Sequence, residues 1–292
     1  MNPTLERSDL RYWRLEPDPR LRPGILCYFV ALPAPRVSVL PPVCEAELLL
    51  PDGYSEIVFS LSNRFERWGV SERTQVQTVC SSYVIGGRSH SVLTRALGDL
   101  CIIGVKLEPH VLRNLAGVPL ATFRDSILSL RDLNQPALLQ LEEALADASS
   151  VVQIAALLDQ FFLQRRESFC VADPLVRELM RCIRIRQGNV PILRWIRACG
   201  VDQRYFERRF CAWTGMTPKR FARIVRFKHS YHRFLHGEAA RGATGLHLED
   251  YYDQSHFHRD FKYFLGVAPS MKLKRQMNQG TEITEHLMEV ML

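Results

Sequence analysis

Residues 251–264 read YYDQSHFHRDFKYF, with His256, His258, Asp253 and Asp260 set among aromatics. These side chains can ligate a metal, move protons, or read a polymer through exposed polar groups. Spacing separates the three. His256 and His258 are two residues apart and on a helix would point well away from each other, whereas helical ligand pairs recur at i, i+3 or i, i+4. Asp253 stands where a helix N-cap belongs and Asp260 reads as a solvated surface acid. No catalytic residue and no metal ligand is therefore expected in this stretch.

An internal repeat gives it another meaning. DQRYFERRFCAWTGMTP, beginning at Asp202, and DQSHFHRDFKYFLGVAP, beginning at Asp253, are one pattern displaced by 51 residues. Asp202, Gln203, Phe206, Arg208, Phe210, Gly215 and Pro218 match Asp253, Gln254, Phe257, Arg259, Phe261, Gly266 and Pro269. Such a register indicates a duplicated supersecondary unit. Each copy predicts a helix: an Asp cap whose carboxylate accepts free backbone N–H groups, aromatics at i, i+4 and i+7 on one buried face, and a glycine stop. The faces left outside carry Gln203, Arg204, Glu207 and Arg208 in the first copy, and Gln254, Ser255, His258 and Arg259 in the second. Gln pairs with adenine and Arg with guanine through two hydrogen bonds each, and a helix fits the major groove. PILRWIRACG before the first reader completes a helix-turn-helix.

The elements that hold these helices fall in two unlike halves. Residues 1–165 carry 16 basic and 18 acidic side chains, whereas residues 174–275 carry 21 basic and 8 acidic, a net of +13. One basic half beside a neutral one is an electrostatic footprint for a polyanion. The first half alternates prolines with β-branched runs such as GILCYFVAL, SEIVFSLS, CSSYVIGG and DLCIIGVKL, which predict short strands. HVLRNLAGV and PALLQLEEALADASSVVQIAALLDQFFLQRR follow with helical periodicity, the latter as one long helix or a hairpin. From Asp173 onward the pattern is helical. The expected fold class is α+β in two domains: a small N-terminal β-barrel with flanking helices, then an all-α bipartite helix-turn-helix domain. Expected bounds are 1–168, 169–276 and an acidic tail at 277–292. No apolar run approaches the ~20 residues that span a bilayer, and the charged N-terminus lacks a signal-peptide core. Eight scattered cysteines without CxxC spacing fit reduced thiols in a cytoplasmic protein.

From about Pro191 to Lys272 the chain resembles the AraC/XylS family of bacterial transcription regulators, through RYFERRF-x5-GMTPKRF and YYDQSHFHRDFK-x3-GVAP. The resemblance implies two helix-turn-helix units joined by a long helix, here KRFARIVRFKHSYHRFL, with double-stranded DNA as partner and no obligatory cofactor. Lys219 and Arg220, at the start of that connector, are expected on phosphates. Asp250 stands where the family usually has glycine, which predicts a short or irregular supporting helix before the second reader.

Family members pair this domain with a ligand-binding or dimerising one, often a cupin-like barrel. Residues 1–165 hold only His90 and His110, too few for a metal-dependent cupin enzyme. Arg7 and Arg11 form RxxxR, Arg14 continues it, and the stretch is similar to the PilZ class of cyclic di-GMP receptors, since guanidinium groups hold phosphates and stack on bases. The PilZ strand motif is missing; Gly87 and Arg88 in SSYVIGGRSHS are the nearest substitute. Cyclic di-GMP is thus one expected effector, a sugar or other metabolite in the barrel a second, and a purely dimerising domain, giving a homodimer, the alternative to both.

Overall fold

The β-branched runs of the first half pair into two antiparallel sheets. The structure, a computed structural model, describes residues 5–6, 10–33, 46–61, 64–70, 76–169, 173–236 and 254–266. The larger sheet contains β1 (Leu5–Glu6), β2 (Leu10–Leu15), β3 (Ile25–Pro33), β5 (Ser55–Ser60), β8 (Tyr83–Ile85), β10 (Ile102–Leu107) and β11 (Ile127–Ser129), in the order β1-β2-β3-β10-β5-β8-β11. The smaller contains β4 (Glu47–Leu49), β6 (Phe65–Gly69), β7 (Gln77–Val79) and β9 (Val92–Ala96), in the order β4-β9-β6-β7. Among the described residues no ladder closes either sheet on itself.

Alternation along each strand sorts its side chains by face. Ile57 and Phe59 of β5 and Ile103, Val105 and Leu107 of β10 lie in one core with α1 (Pro109–Ala116), α2 (Pro136–Ala146) and α3 (Val151–Leu163). The intervening Glu56 and Lys106 are also buried, so charge lies on the opposite face of the same strands. Of the long helix or hairpin expected after α1, the hairpin is found: Ser150 caps α3 by accepting from the Gln153 N–H.

The helical half comprises α4 (Pro174–Ile185), α5 (Ile192–Ala198), α6 (Gln203–Thr214), α7 (Pro218–His236) and α8 (Gln254–Leu265). Its core is largely aromatic, with Phe206, Phe210, Phe221, Phe227, Phe257, Phe261 and Phe264 buried together. Each such ring contributes about 1.5–3 kcal/mol through burial. Leu50, from the first half of the chain, belongs to this core too. Gly53 (φ 77°) lies with its Cα side against the Phe221 ring, where an added Cβ would stand 3.2 Å from it. Arg184 of α4 reaches back, donating to Glu108 at 2.9 Å and to the Gly53 carbonyl at 3.1 Å while stacking over Tyr54. The halves therefore interpenetrate.

Candidate nucleic-acid interface

The first reader, α6, starts and stops as its sequence demands. Asp202 is extended (φ −64°, ψ 132°) and its carboxylate accepts from the Tyr205 N–H at 2.8 Å. Gly215 ends the helix at φ 77°, a conformation costly for residues with a Cβ. Phe206 and Phe210 face inward, and Gln203, Arg204 and Arg208 are exposed. Glu207 is half-buried and accepts from Gln203 Nε2 at 2.9 Å, which holds the amide in place. Trp213, expected in the buried stripe, is half-buried beneath the Arg113 guanidinium, 3.9 Å from its ring centroid. The nineteen residues of α7 run as one helix from Pro218, with Lys219 exposed and Arg220 half-buried near its start.

The second reader, α8, buries Phe257, Phe261 and Phe264 and ends at Gly266, φ 72°. Arg259 is exposed; His258 is half-buried with its Nε2 lacking a hydrogen-bond partner. Gln254 and Ser255 open the helix, but their side chains, like Asp250 and Asp253, lie outside the described residues. Asp260 corrects the sequence reading. It is not solvated but 1% exposed, accepting from Arg223 Nε at 2.7 Å and Arg226 Nη2 at 3.2 Å. Both arginines belong to α7, more than thirty residues earlier, so no local pattern could mark the pairing.

Of the arginines expected to clamp an anionic nucleotide, the described ones, Arg11, Arg14 and Arg88, take separate positions. Arg7 lies outside the described residues. Arg11 shares the face of β2 that carries Trp13, its guanidinium 5.4 Å from that ring, and alternation sends Arg14 to the other face, where it pairs with Glu16 at 2.5 Å. Arg88 is buried, donating to both oxygens of Glu56 at 2.9 and 2.5 Å. Gly87 (φ 137°) faces the Met216 methyl rather than open space.

Residues 195–275 match the helix-turn-helix domain family. Residues 13–129, ahead of that segment, match a domain of unknown function, DUF6597. Among solved structures the chain is similar to ToxT from Vibrio cholerae O395, at 10% identity and a TM-score of 0.41, covering 91% of this chain and 98% of that one. It is also similar to unsaturated-fatty-acid-bound wild-type ToxT from Vibrio cholerae strain SCE256, at 11% identity and TM-score 0.39, covering 81% and 97%. The AraC-like transcriptional activator CuxR gives 13% identity and TM-score 0.30, covering 77% and 88%. No curated protein matches the chain.

A buried charged cluster lies where the helical half meets the sheets. Lys106 donates to Asp52 at 2.6 Å and stands 3.4 Å from Glu56. Burial opposes ionisation of both acids, yet Lys106 beside Asp52 and Arg88 beside Glu56 hold their carboxyls below the usual range. Lys228 of α7 joins from the helical half. Burial pulls its ammonium down to about 7, and Lys106 and Arg184 add to the effect while Asp52 opposes it. Nothing in the local sequence signals this cluster, since Asp52, Lys106 and Lys228 come from three distant segments. Among the described residues no three His, Cys, Asp or Glu side chains converge to hold a metal ion, and no helix is long and apolar enough to cross a membrane.

Proposed function

We propose that the protein is a sequence-specific DNA-binding transcription regulator whose β-rich half receives a signal. One observation carries the reading: two aromatic-backed helices, each ended by a glycine at positive φ and 51 residues apart in the chain, with Gln203, Arg204, Arg208 and Arg259 exposed in a strongly basic half. Phosphate contacts from that half supply affinity and its salt dependence, and base contacts supply choice of sequence. Gln203, Arg204, Glu207 and Arg208 form the first reading set; Gln254, Ser255, His258 and Arg259 form the second. Lys219 and Arg220 are assigned to phosphates.

Selection from a random duplex library followed by fluorescence anisotropy tests this. Arg208→Ala and Arg259→Ala each weaken the selected site by about 1–3 kcal/mol while barely touching random DNA. Equal losses on both duplexes would remove base readout from the reading. Lys219→Ala lowers the slope of log affinity against log salt on both.

For organisation, residues 1–168 are assigned to signal reception or dimerisation and 169–276 to DNA. The effector is a small molecule held by the β-rich half. Cyclic di-GMP has the Arg7 and Arg11 spacing in its favour, and the separation of Arg11 from Arg14 and Arg88 against it. Calorimetry with the dinucleotide on wild type and Arg11→Ala decides: no heat from the wild type ends that assignment and leaves the DNA reading standing. A sugar or other metabolite is the alternative occupant.

A further inference from the structure

A cleft of about 230 Å³ opens between the smaller sheet and the second reader helix, with Arg67, Arg88 and Ser91 on one wall and Tyr263 and Phe264 of α8 on the other. Among the described residues three buried polar atoms of its wall have no hydrogen-bond partner: Arg67 Nη1, Arg88 Nε and Ser91 Oγ. Each can donate, and polar groups removed from water normally find partners. Arg67 is the decisive one. It is 7% exposed, on the same face of β6 as the buried Phe65, and among the described residues it has no carboxylate partner.

The nearby acids are already engaged. Asp52 takes Lys106, and Glu56 takes both terminal nitrogens of Arg88. Asp125, at the cleft's edge, accepts from the Ser89 N–H and hydroxyl at 2.5 and 2.6 Å and lies 3.7 Å from His90. Burial, and then repulsion by Arg88, push the Arg67 guanidinium below its ordinary range, and attraction from Tyr83, Glu56 and Asp125 offsets only part of this. A guanidinium still keeps its proton in proteins. Among the described residues the fold thus carries a fixed positive charge whose water has been removed and which has no ion-pair partner, an arrangement that costs stability unless an anion completes it.

We propose that this cleft binds a compact oxyanion, a carboxylate or phosphate carried on a small flat or apolar group, with Arg67 as its counter-ion. Arg88 Nε and Ser91 Oγ supply further donors. The volume lies below the roughly 300–1,000 Å³ of sites for drug-sized ligands, so a cyclic dinucleotide does not fit within it. The aromatic wall gives the occupant's non-polar part its place. Tyr263 is hydrogen-bonded to His90 at 2.9 Å, tying α8 to the loop before β9. An occupant therefore touches the sheet and the second reader helix together, and its binding biases how that helix is held. This deepens the effector-controlled reading above and rests on it.

The test uses the full chain with benzoate and phenyl phosphate as probes and benzamide as the uncharged match for benzoate. Calorimetry and thermal melting are expected to show at least one anion binding and raising Tm, with benzamide silent. Benzoate alone assigns a carboxylate, phenyl phosphate alone a phosphate. Arg67→Gln is expected to lose binding at least tenfold. Should that variant not fold, Arg67→Lys, which keeps the charge but loses the planar fork, and Ser91→Ala are each expected to weaken binding severalfold. Neither anion binding the wild type, benzamide binding as well as benzoate, or undiminished binding by the Arg67 and Ser91 variants would overturn the proposal. Anisotropy on the ligand-free protein separates the two readings: DNA binding without anion binding defeats the cleft alone, and anion binding without DNA binding defeats the regulator alone.

Discussion

Asp260 offers the sharpest test of how the two reader helices are held together. Its carboxylate is 1% exposed and accepts one hydrogen bond each from Arg223 and Arg226. Removing a buried acceptor of two charge-assisted bonds would cost about 1.5–3 kcal/mol for each bond in full burial. Arg223 is 34% exposed and can turn to water, so its bond is discounted and Arg226, at 17%, keeps most of its share. Asp260→Ala is therefore expected to lower unfolding free energy in urea by about 2–4 kcal/mol, and Asp260→Asn, which retains one acceptor, by about half that. Lys262→Ala, an exposed change in the same helix, should stay within about 0.5 kcal/mol of wild type. Because both arginines sit on α7, the loss falls on the placement of α8 rather than on α6. Anisotropy with duplexes carrying the whole site or only its first half then has a defined outcome: Asp260→Ala weakens the whole site and spares the half-site. Wild-type stability in Asp260→Ala, or equal weakening on both duplexes, would refute the reasoning.

Three further expectations follow from the contact between the halves. Arg184→Ala, which removes the bonds to Glu108 and the Gly53 carbonyl, should cost about 2–3 kcal/mol, measured by chemical denaturation, and should raise proteolysis in the segments it joins. Gly53→Ala forces a side chain into φ 77° and against Phe221; a loss of at least about 1–2 kcal/mol is expected, read as a lower Tm. Lys228 titrates near 7 in the folded protein and near its ordinary value once unfolded. Between those values the unfolded chain holds a proton that the folded one has shed. Stability therefore rises with pH above 7, by up to about 1.4 kcal/mol per unit. Lys228→Met should flatten that rise; an unchanged slope in denaturation curves from pH 7 to 9 would show that Lys228 is not its source.

The helical half was legible because its signals are local. Asp202, Phe206, Phe210 and Gly215 lie within one helix, and the repeat supplied the same pattern again at Phe257, Phe261 and Gly266. The β-rich half was legible only in part. Runs such as GILCYFVAL and DLCIIGVKL became β3 and β10, but RYWRL was read for its arginines and is the strand β2, which placed Arg11 and Arg14 on opposite faces. FERWG and VLTRA, rich in charge for strands, became β6 and β9 and carry the cleft wall. Asp260, Arg67 and the Asp52–Lys106 pair depend on neighbours distant in sequence. Pattern reports which face a side chain takes within its own element; it does not report what another element brings to that face.

Leu50 and Gly53 have a consequence for genetics. They stand in the segment that sequence assigns to sensing, yet Leu50 is packed into the core that supports the reader helices and Gly53 lies against Phe221. A screen for variants that no longer hold DNA would therefore return substitutions near residue 50 beside those in α6 and α8. Such a cluster would look like a sensing defect on the linear map. A fragment cut at residue 169 would likewise begin life with a hole in its core, and its failure to hold DNA would say nothing about the readers themselves.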